Sequence, residues 1–173
     1  MEKIGLFYGP SGGSVEKVAR MIERMIGRDK IDLIPIKEAD AGKINQYQNI
    51  IFGLSTVGKH TWDMDVPEDA WSAFMPELEK VDYGNKRFAL YGLGDHITYS
   101  LHFVDSLGTV AKELMQHGAA VIGQVDPSGY EFQDSDAIID GRFAGLPLDE
   151  DYESAKTPER LQNWLDIILK EFK

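Results

Sequence analysis

Apolar and polar positions along this chain follow two distinct rhythms. Nearly unbroken apolar runs occur at Lys3–Tyr8, Ile31–Ile36, Asn49–Leu54, Arg87–Gly92 and Ala119–Val125. Short runs of this kind predict strands covered on both faces. Between them, apolar residues return every three or four positions. Val15, Val18, Ala19, Ile22, Met25 and Ile26 form one stripe, and Phe103, Val104, Leu107, Val110, Ala111, Leu114 and Met115 form another. A last helix is predicted from Thr157 as N-cap and Pro158 as its first residue, with Leu161, Trp164, Leu165, Ile168 and Leu169 facing inward. All three stripes are read as core-packing faces.

Five strands alternating with helices predict an α/β fold, a doubly wound five-stranded parallel sheet with helices on both faces. In such sheets a ligand lies beyond the carboxyl ends of the strands, near the switch in strand order. Three loops meet that condition: Gly9–Ser14, Ser55–Asp69 and Leu93–His102. One stretch departs from the rhythm. Asp126–Tyr152 is rich in turn signals (Asp-Pro, Ser-Gly, Asp-Gly, Ala-Gly) and is read as an excursion between the fifth strand and the last helix. Residues 1–173 are expected to form a single domain.

Composition narrows the function classes. Against 18 Lys and Arg stand 29 Asp and Glu, a formal net charge of −11. That field disfavours nucleic acid and anionic membranes and favours encounter with basic protein surfaces. The absence of cysteine excludes disulfide and thiolate chemistry. No apolar run reaches the length of a membrane span, and the N-terminal residues lack a signal-peptide pattern, so a cytoplasmic protein is expected.

The first loop carries the clearest chemistry. Ile4-Gly5-Leu6-Phe7-Tyr8 breaks into Gly9-Pro10-Ser11-Gly12-Gly13-Ser14, and a helix pattern follows at once. A strand, a turn of small residues and a helix present backbone N–H groups and a positive helix end to an anion such as phosphate. Gly9–Gly13 also fits Gly-x-Ser-x-Gly, which raises a serine hydrolase with Ser11 as nucleophile and His117 as a late partner. Its position after the first strand argues against this, because no earlier loop remains for a second oxyanion donor. His96 and His102 lack supporting ligands at metal-binding spacing, so no metal site is expected.

Beyond that loop, several stretches occur in an order that resembles the long-chain flavodoxins. They are Ile4–Gly9, Tyr91-Gly92-Leu93-Gly94-Asp95 with Tyr99, Ser128-Gly129-Tyr130-Glu131-Phe132, Asp140-Gly141-Arg142-Phe143-Ala144-Gly145-Leu146, and Leu148-Asp149-Glu150-Asp151. The resemblance covers essentially the whole chain. It implies a 2-1-3-4-5 strand order, a long-chain insertion in the fifth-strand region, and a low-potential electron carrier, not an enzyme, that holds FMN noncovalently. It places the phosphate at Gly9, Pro10, Ser11, Gly12, Gly13, Ser14 and Val15. It places the flavin ring between Ser55, Thr56, Val57 and Gly58 on one side and Leu93, Gly94, Asp95, Tyr99, His102 and Phe103 on the other, with Tyr99 stacked on its outer face.

Two departures from the family pattern matter. Flavodoxins usually show Thr-x-Thr-Gly-x-Thr in the first loop, where an ungapped reading of this chain has Pro10, Gly12 and Val15. Shifted by one residue, Ser11-Gly12-Gly13-Ser14 matches the Thr-Gly-x-Thr half. Val57 stands where many relatives carry an aromatic residue on the inner ring face, which leaves His60 or Trp62 as substitute walls. The resemblance also implies redox partners of the ferredoxin/flavodoxin–NADP reductase, pyruvate oxidoreductase or nitrogenase type, and a monomer. Asp63, Asp65, Glu68 and Asp69 are read as part of an acidic docking face for them. An FMN-dependent quinone or nitro reductase, and a flavin-free interaction or regulatory protein, are the alternatives.

Overall fold

The structure is a computed structural model in which residues 1–55 and 70–173 are described. Five strand positions form a parallel sheet in the order β2-β1-β3-β4-β5. They are β1 (Ile4–Tyr8), β2 (Ile31–Pro35), β3 (Asn49–Ser55), β4 (Arg87–Leu93) and β5 (Ala120–Ile122). Around them lie α1 (Ser14–Ile26), α2 (Ala41–Ile44), α3 (Ala70–Phe74), α4 (Asp105–Gln116) and α5 (Thr157–Glu171). The alternation of side chains along a strand divides the core into two. Phe7, Phe52, Phe88 and Leu90 point to the face covered by α2, α3 and α4. Leu6, Tyr8, Ile51, Ala89 and Tyr91 point to the face covered by α1 and α5.

The predicted stripes on α1, α4 and α5 are the buried faces, with three adjustments. Met25 and Met115 are exposed at the rims of their helices. Phe103 and Val104 precede α4, and both are buried. Thr157 is not an N-cap. A 3₁₀ turn, Ser154–Lys156, runs straight into α5, so Lys156 takes the cap position and the Thr157 hydroxyl instead donates to Glu150 Oε2 at 3.4 Å.

The fifth strand position differs most from expectation. Instead of running from Ala119 to Val125, β5 ends at Ile122, having paired only with Arg87–Ala89. Gly123 turns the chain away at φ +77°, lying so close to α5 that a Cβ there would sit 2.6 Å from Ile168 and 2.7 Å from Trp164. Its carbonyl accepts a hydrogen bond from Trp164 Nε1 at 2.9 Å. Val125 then pairs with Phe143 in an antiparallel bridge. The strands β6 (Ile138–Ile139) and β7 (Arg142–Phe143) form a hairpin whose turn residues, Asp140 and Gly141, both have positive φ. The chain re-enters the sheet as β8 (Leu146–Leu148), parallel to Tyr91–Leu93 of β4. The excursion therefore interrupts the fifth strand position, with β5 on one side of it and β8 on the other.

Candidate functional site

The carboxyl end of β1 carries the first loop at the centre of the sheet. Gly9 is buried, and its N–H donates to Gly53 O of β3 at 3.2 Å. The same carbonyl accepts from Trp71 Nε1 at 3.0 Å, so α3 braces the base of the turn. Pro10–Ser14 are exposed, and the Gly9–Pro10 peptide is cis. Gly12 adopts φ +86°, a conformation that L side chains rarely take. Around both Gly12 and Gly13 the space into which a Cβ would project is open to 4 Å.

Within this turn Gly12 is the one residue of Ser11–Ser14 whose N–H has a partner among the described residues. It donates to Glu16 Oε2 at 2.6 Å. Glu16 Oε1 accepts from Arg20 at 2.8 Å and from the Tyr8 hydroxyl at 3.4 Å. The Gly12 N–H, followed by the Arg20 guanidinium, holds the Glu16 carboxyl below its ordinary range. Burial and the neighbouring Glu16 charge push the Tyr8 phenol up. The first turn of α1 is also anchored from below, where the buried Tyr91 hydroxyl donates to Val15 O at 2.9 Å. Tyr91 fits because β3 has glycine opposite it: a Cβ on Gly53 would lie 2.2 Å from that hydroxyl.

The third loop leaves β4 between Gly94 and His102. Gly94 packs so closely on Val104 and Phe103 that a Cβ would lie 2.9 Å from one and 3.2 Å from the other. The Gly94 N–H donates to Leu148 O at 2.9 Å, which ties the loop to β8. Asp95 Oδ1 accepts from the N–H groups of Ile97 at 3.0 Å and Thr98 at 2.7 Å, forming an Asx turn. That turn presents Tyr99, 51% exposed, with Ile97 and Leu101 beside it. His102 pairs with Asp105 Oδ2 through Nδ1 at 3.0 Å. Phe103 is committed elsewhere, its ring packed against Tyr130, Phe132 and Phe143 of the excursion.

Of the residues singled out from the sequence, the fold brings Gly9–Val15 and Leu93–Phe103 to the same edge of the sheet, at the ends of β1 and β4. Ser55 ends β3 between them and, with Leu54 and Trp71, lines a cavity of about 220 Å³. Thr56, Val57, Gly58, His60, Trp62 and the carboxylates Asp63, Asp65, Glu68 and Asp69 lie outside the described residues. Val15, Leu93 and Phe103 have buried side chains and present only backbone to the edge. His117 sits elsewhere, its ring stacked 5.5 Å from Tyr83 and its Nε2 3.2 Å from Glu113. Among the described residues, no group of three His, Asp or Glu side chains is gathered as a metal ion would need.

Sequence reasoning gave no role in the site to Glu16 and Arg20, nor to Tyr91, His96 and Asp149, of which Tyr91 and Asp149 lie in the motifs that carry the resemblance. Glu16 was legible, because Gly13-x-x-Glu16 has the spacing at which a third-position carboxylate reaches back to a helix start. The pairing of His96 with Asp149 had no local signal, since 53 residues separate the two.

The turn geometry fits a phosphate. N–H groups cluster at the positive end of a 13-residue helix, with room for an anion to approach the backbone. The flavodoxin family model matches residues 6–164. A flavodoxin from Nostoc sp. is 36% identical over 171 residues, covering 99% of this chain and 98% of its own. Flavodoxin 1 of Azotobacter vinelandii is 35% identical over 176 residues, with 99% and 98% coverage. The crystal structure of Fusobacterium nucleatum flavodoxin bound to flavin mononucleotide superposes with a TM-score of 0.88 at 27% identity, covering 100% of both chains. The chain belongs to the flavodoxin family.

Proposed function

We propose that this chain is an FMN-dependent electron carrier of the long-chain flavodoxin type, with residues 1–173 acting as one domain. The observation that carries the reading is the Gly9–Ser14 turn, which offers backbone donors at the carboxyl end of the central strand of a flavodoxin fold. Full-length likeness to flavodoxins favours a carrier over a quinone or nitro reductase and over a flavin-free interaction protein. FMN supplies the redox chemistry when bound, and the protein supplies position and electrostatics.

In this reading Ser11–Val15 bind the phosphate through backbone N–H groups. Pro10 contributes none, having no N–H. Tyr99 covers the outer face of the ring, and the backbone at Gly94 and Asp95 meets its polar edge. At the inner face, where Val57 replaces the usual aromatic residue, His60 or Trp62 would supply the missing wall. The net charge of −11 surrounds the ring with negative potential, which disfavours the anionic reduced cofactor and lowers its potential.

Electrons pass to and from basic redox proteins, of the NADP reductase, pyruvate oxidoreductase or nitrogenase type, that dock on the acidic face. The carrier works as a monomer. We place the protein in the cytoplasm, among the redox proteins that this reading gives it as partners. No helix among the described residues is long and apolar enough to cross a membrane. Titration of FMN with the apoprotein, followed by quenching of flavin fluorescence, tests the reading. Saturable quenching at micromolar protein is expected, and its absence would overturn the carrier assignment.

A further inference from the structure

We infer that Glu16 competes with the FMN phosphate for the Gly12 N–H, and so sets how strongly this protein distinguishes FMN from riboflavin. The inference rests on the FMN reading and concerns a residue that the reading itself does not use. Glu16 is the third residue of α1, and its carboxylate reaches back into the turn to take the Gly12 N–H at 2.6 Å. A carboxylate there does what a phosphate oxygen does: it accepts from the backbone and lies at the positive end of the helix. The turn thus carries its own anion.

The other partners of Glu16 show how that anion is held. Its second oxygen binds Arg20 at 2.8 Å and the Tyr8 hydroxyl at 3.4 Å. Both donors lie outside the turn, on α1 and β1, so the carboxylate retains partners if it gives up Gly12. The Gly12 N–H has none but Glu16 among the described residues. A phosphate monoester carries nearly two negative charges at neutral pH. Bound in the same turn, it either takes the Gly12 donor and leaves Glu16 to Arg20 and Tyr8, or faces the Glu16 carboxylate, offset only by Arg20, at close range. Each route weakens phosphate binding and leaves the ring contacts untouched. Riboflavin has the same ring and no phosphate, and it meets neither penalty.

The test is the dissociation constant of FMN and of riboflavin, measured by fluorescence quenching on the unaltered protein and on Glu16→Gln and Glu16→Ala, with circular dichroism to confirm folding. Glu16→Ala, which removes the acceptor, is expected to bind FMN about five- to tenfold more tightly, an exchange worth one hydrogen bond, and Glu16→Gln, which keeps a neutral acceptor, is expected to gain less. Riboflavin affinity is expected to stay within about twofold. Unchanged or weaker FMN binding in both variants would overturn the inference, as would an equal gain for riboflavin. Failure of both flavins to bind the unaltered protein would overturn the FMN reading and this inference together. Failure of the inference alone leaves FMN binding to the unaltered protein intact.

Discussion

His96 and Asp149 are joined twice. The His96 backbone N–H donates to Asp149 Oδ2 at 3.0 Å, and its ring Nδ1 meets the same oxygen. The other oxygen of Asp149 accepts from the N–H groups of Asp151 and Tyr152, each at 2.9 Å. Asp149 is fully buried and follows β8, while His96 belongs to the loop that carries Tyr99. One carboxylate therefore fixes the third loop to the returning end of the excursion. Glu153 extends the contact, lying 3.5 Å from His96 and pairing with Arg160 at 3.2 Å and with Lys156. Arg160 in turn lies over the Tyr130 ring at 4.1 Å.

Replacing Asp149 with alanine removes every one of these acceptors from a buried position. Three partly buried N–H groups and the His96 ring lose their acceptor, so a loss of about 2–3 kcal/mol is expected. Urea unfolding of the two proteins measures it. A loss below about 1 kcal/mol would show that the loop is held by other contacts.

Acid should weaken the same junction. Burial raises the Asp149 carboxyl, but the N–H groups of His96, Tyr152 and Asp151 and the His96 ring outweigh it and hold it below its ordinary 3.8. Glu153 is likewise held below 4.5, where Lys156 and Arg160 overcome the effect of burial. A carboxyl depressed in the folded state contributes stability that is complete above its unfolded value and is lost as pH falls through the folded one. Stability should thus be level above about pH 5 and fall below about pH 4. In Asp149→Ala the acid-side slope of unfolding free energy against pH should be shallower.

Gly53 admits no side chain. A methyl group would overlap the Tyr91 hydroxyl and ring, which are fully buried. Gly53→Ala is expected to destabilise the fold by about 2–3 kcal/mol. It should also weaken FMN binding, because the displaced hydroxyl would no longer hold Val15 O at the start of α1. Thermal unfolding and FMN titration separate the two effects.

Tyr99 stands half exposed on its Asx turn and contributes little to the core. Tyr99→Ala should leave unfolding within about 0.5 kcal/mol of the unaltered protein. FMN should bind about five- to tenfold more weakly, the loss of one aromatic stacking contact. Equal FMN affinity would remove Tyr99 from the proposed ring site.

Neutralising Asp63, Asp65, Glu68 and Asp69 together should slow electron transfer to a basic reductase at low salt. Added salt should slow the unaltered protein toward the same rate. Stopped-flow rates insensitive to both changes would count against the acidic docking face.

Much of this protein was determined by its sequence alone. The buried central strands β1, β3 and β4, the faces of α1, α4 and α5, the turn after β1 and membership of the flavodoxin family all follow from patterns in the sequence, whereas the flanking strands β2 and β5 are only half-buried. Apolar period and turn chemistry are local, and several motifs in order are specific. Tertiary structure decided the rest. Gly123 reads as one more loop glycine until Trp164 and Ile168 pack against it and end β5 early. Phe103 continues a helical stripe in the sequence, yet its ring closes over an aromatic cluster supplied by the excursion. Thr157 looks like a cap, but the 3₁₀ turn before it runs on into the helix. Asp149 is one acid in an acidic chain, and only the return of β8 alongside β4 brings it to His96. These outcomes depend on contacts between residues far apart in the chain, whose energies no local pattern records. The Gly9–Ser14 turn belongs to both accounts: its place and the spacing of Glu16 were legible from the residues, and the contact of that carboxylate with the Gly12 N–H appeared only in three dimensions.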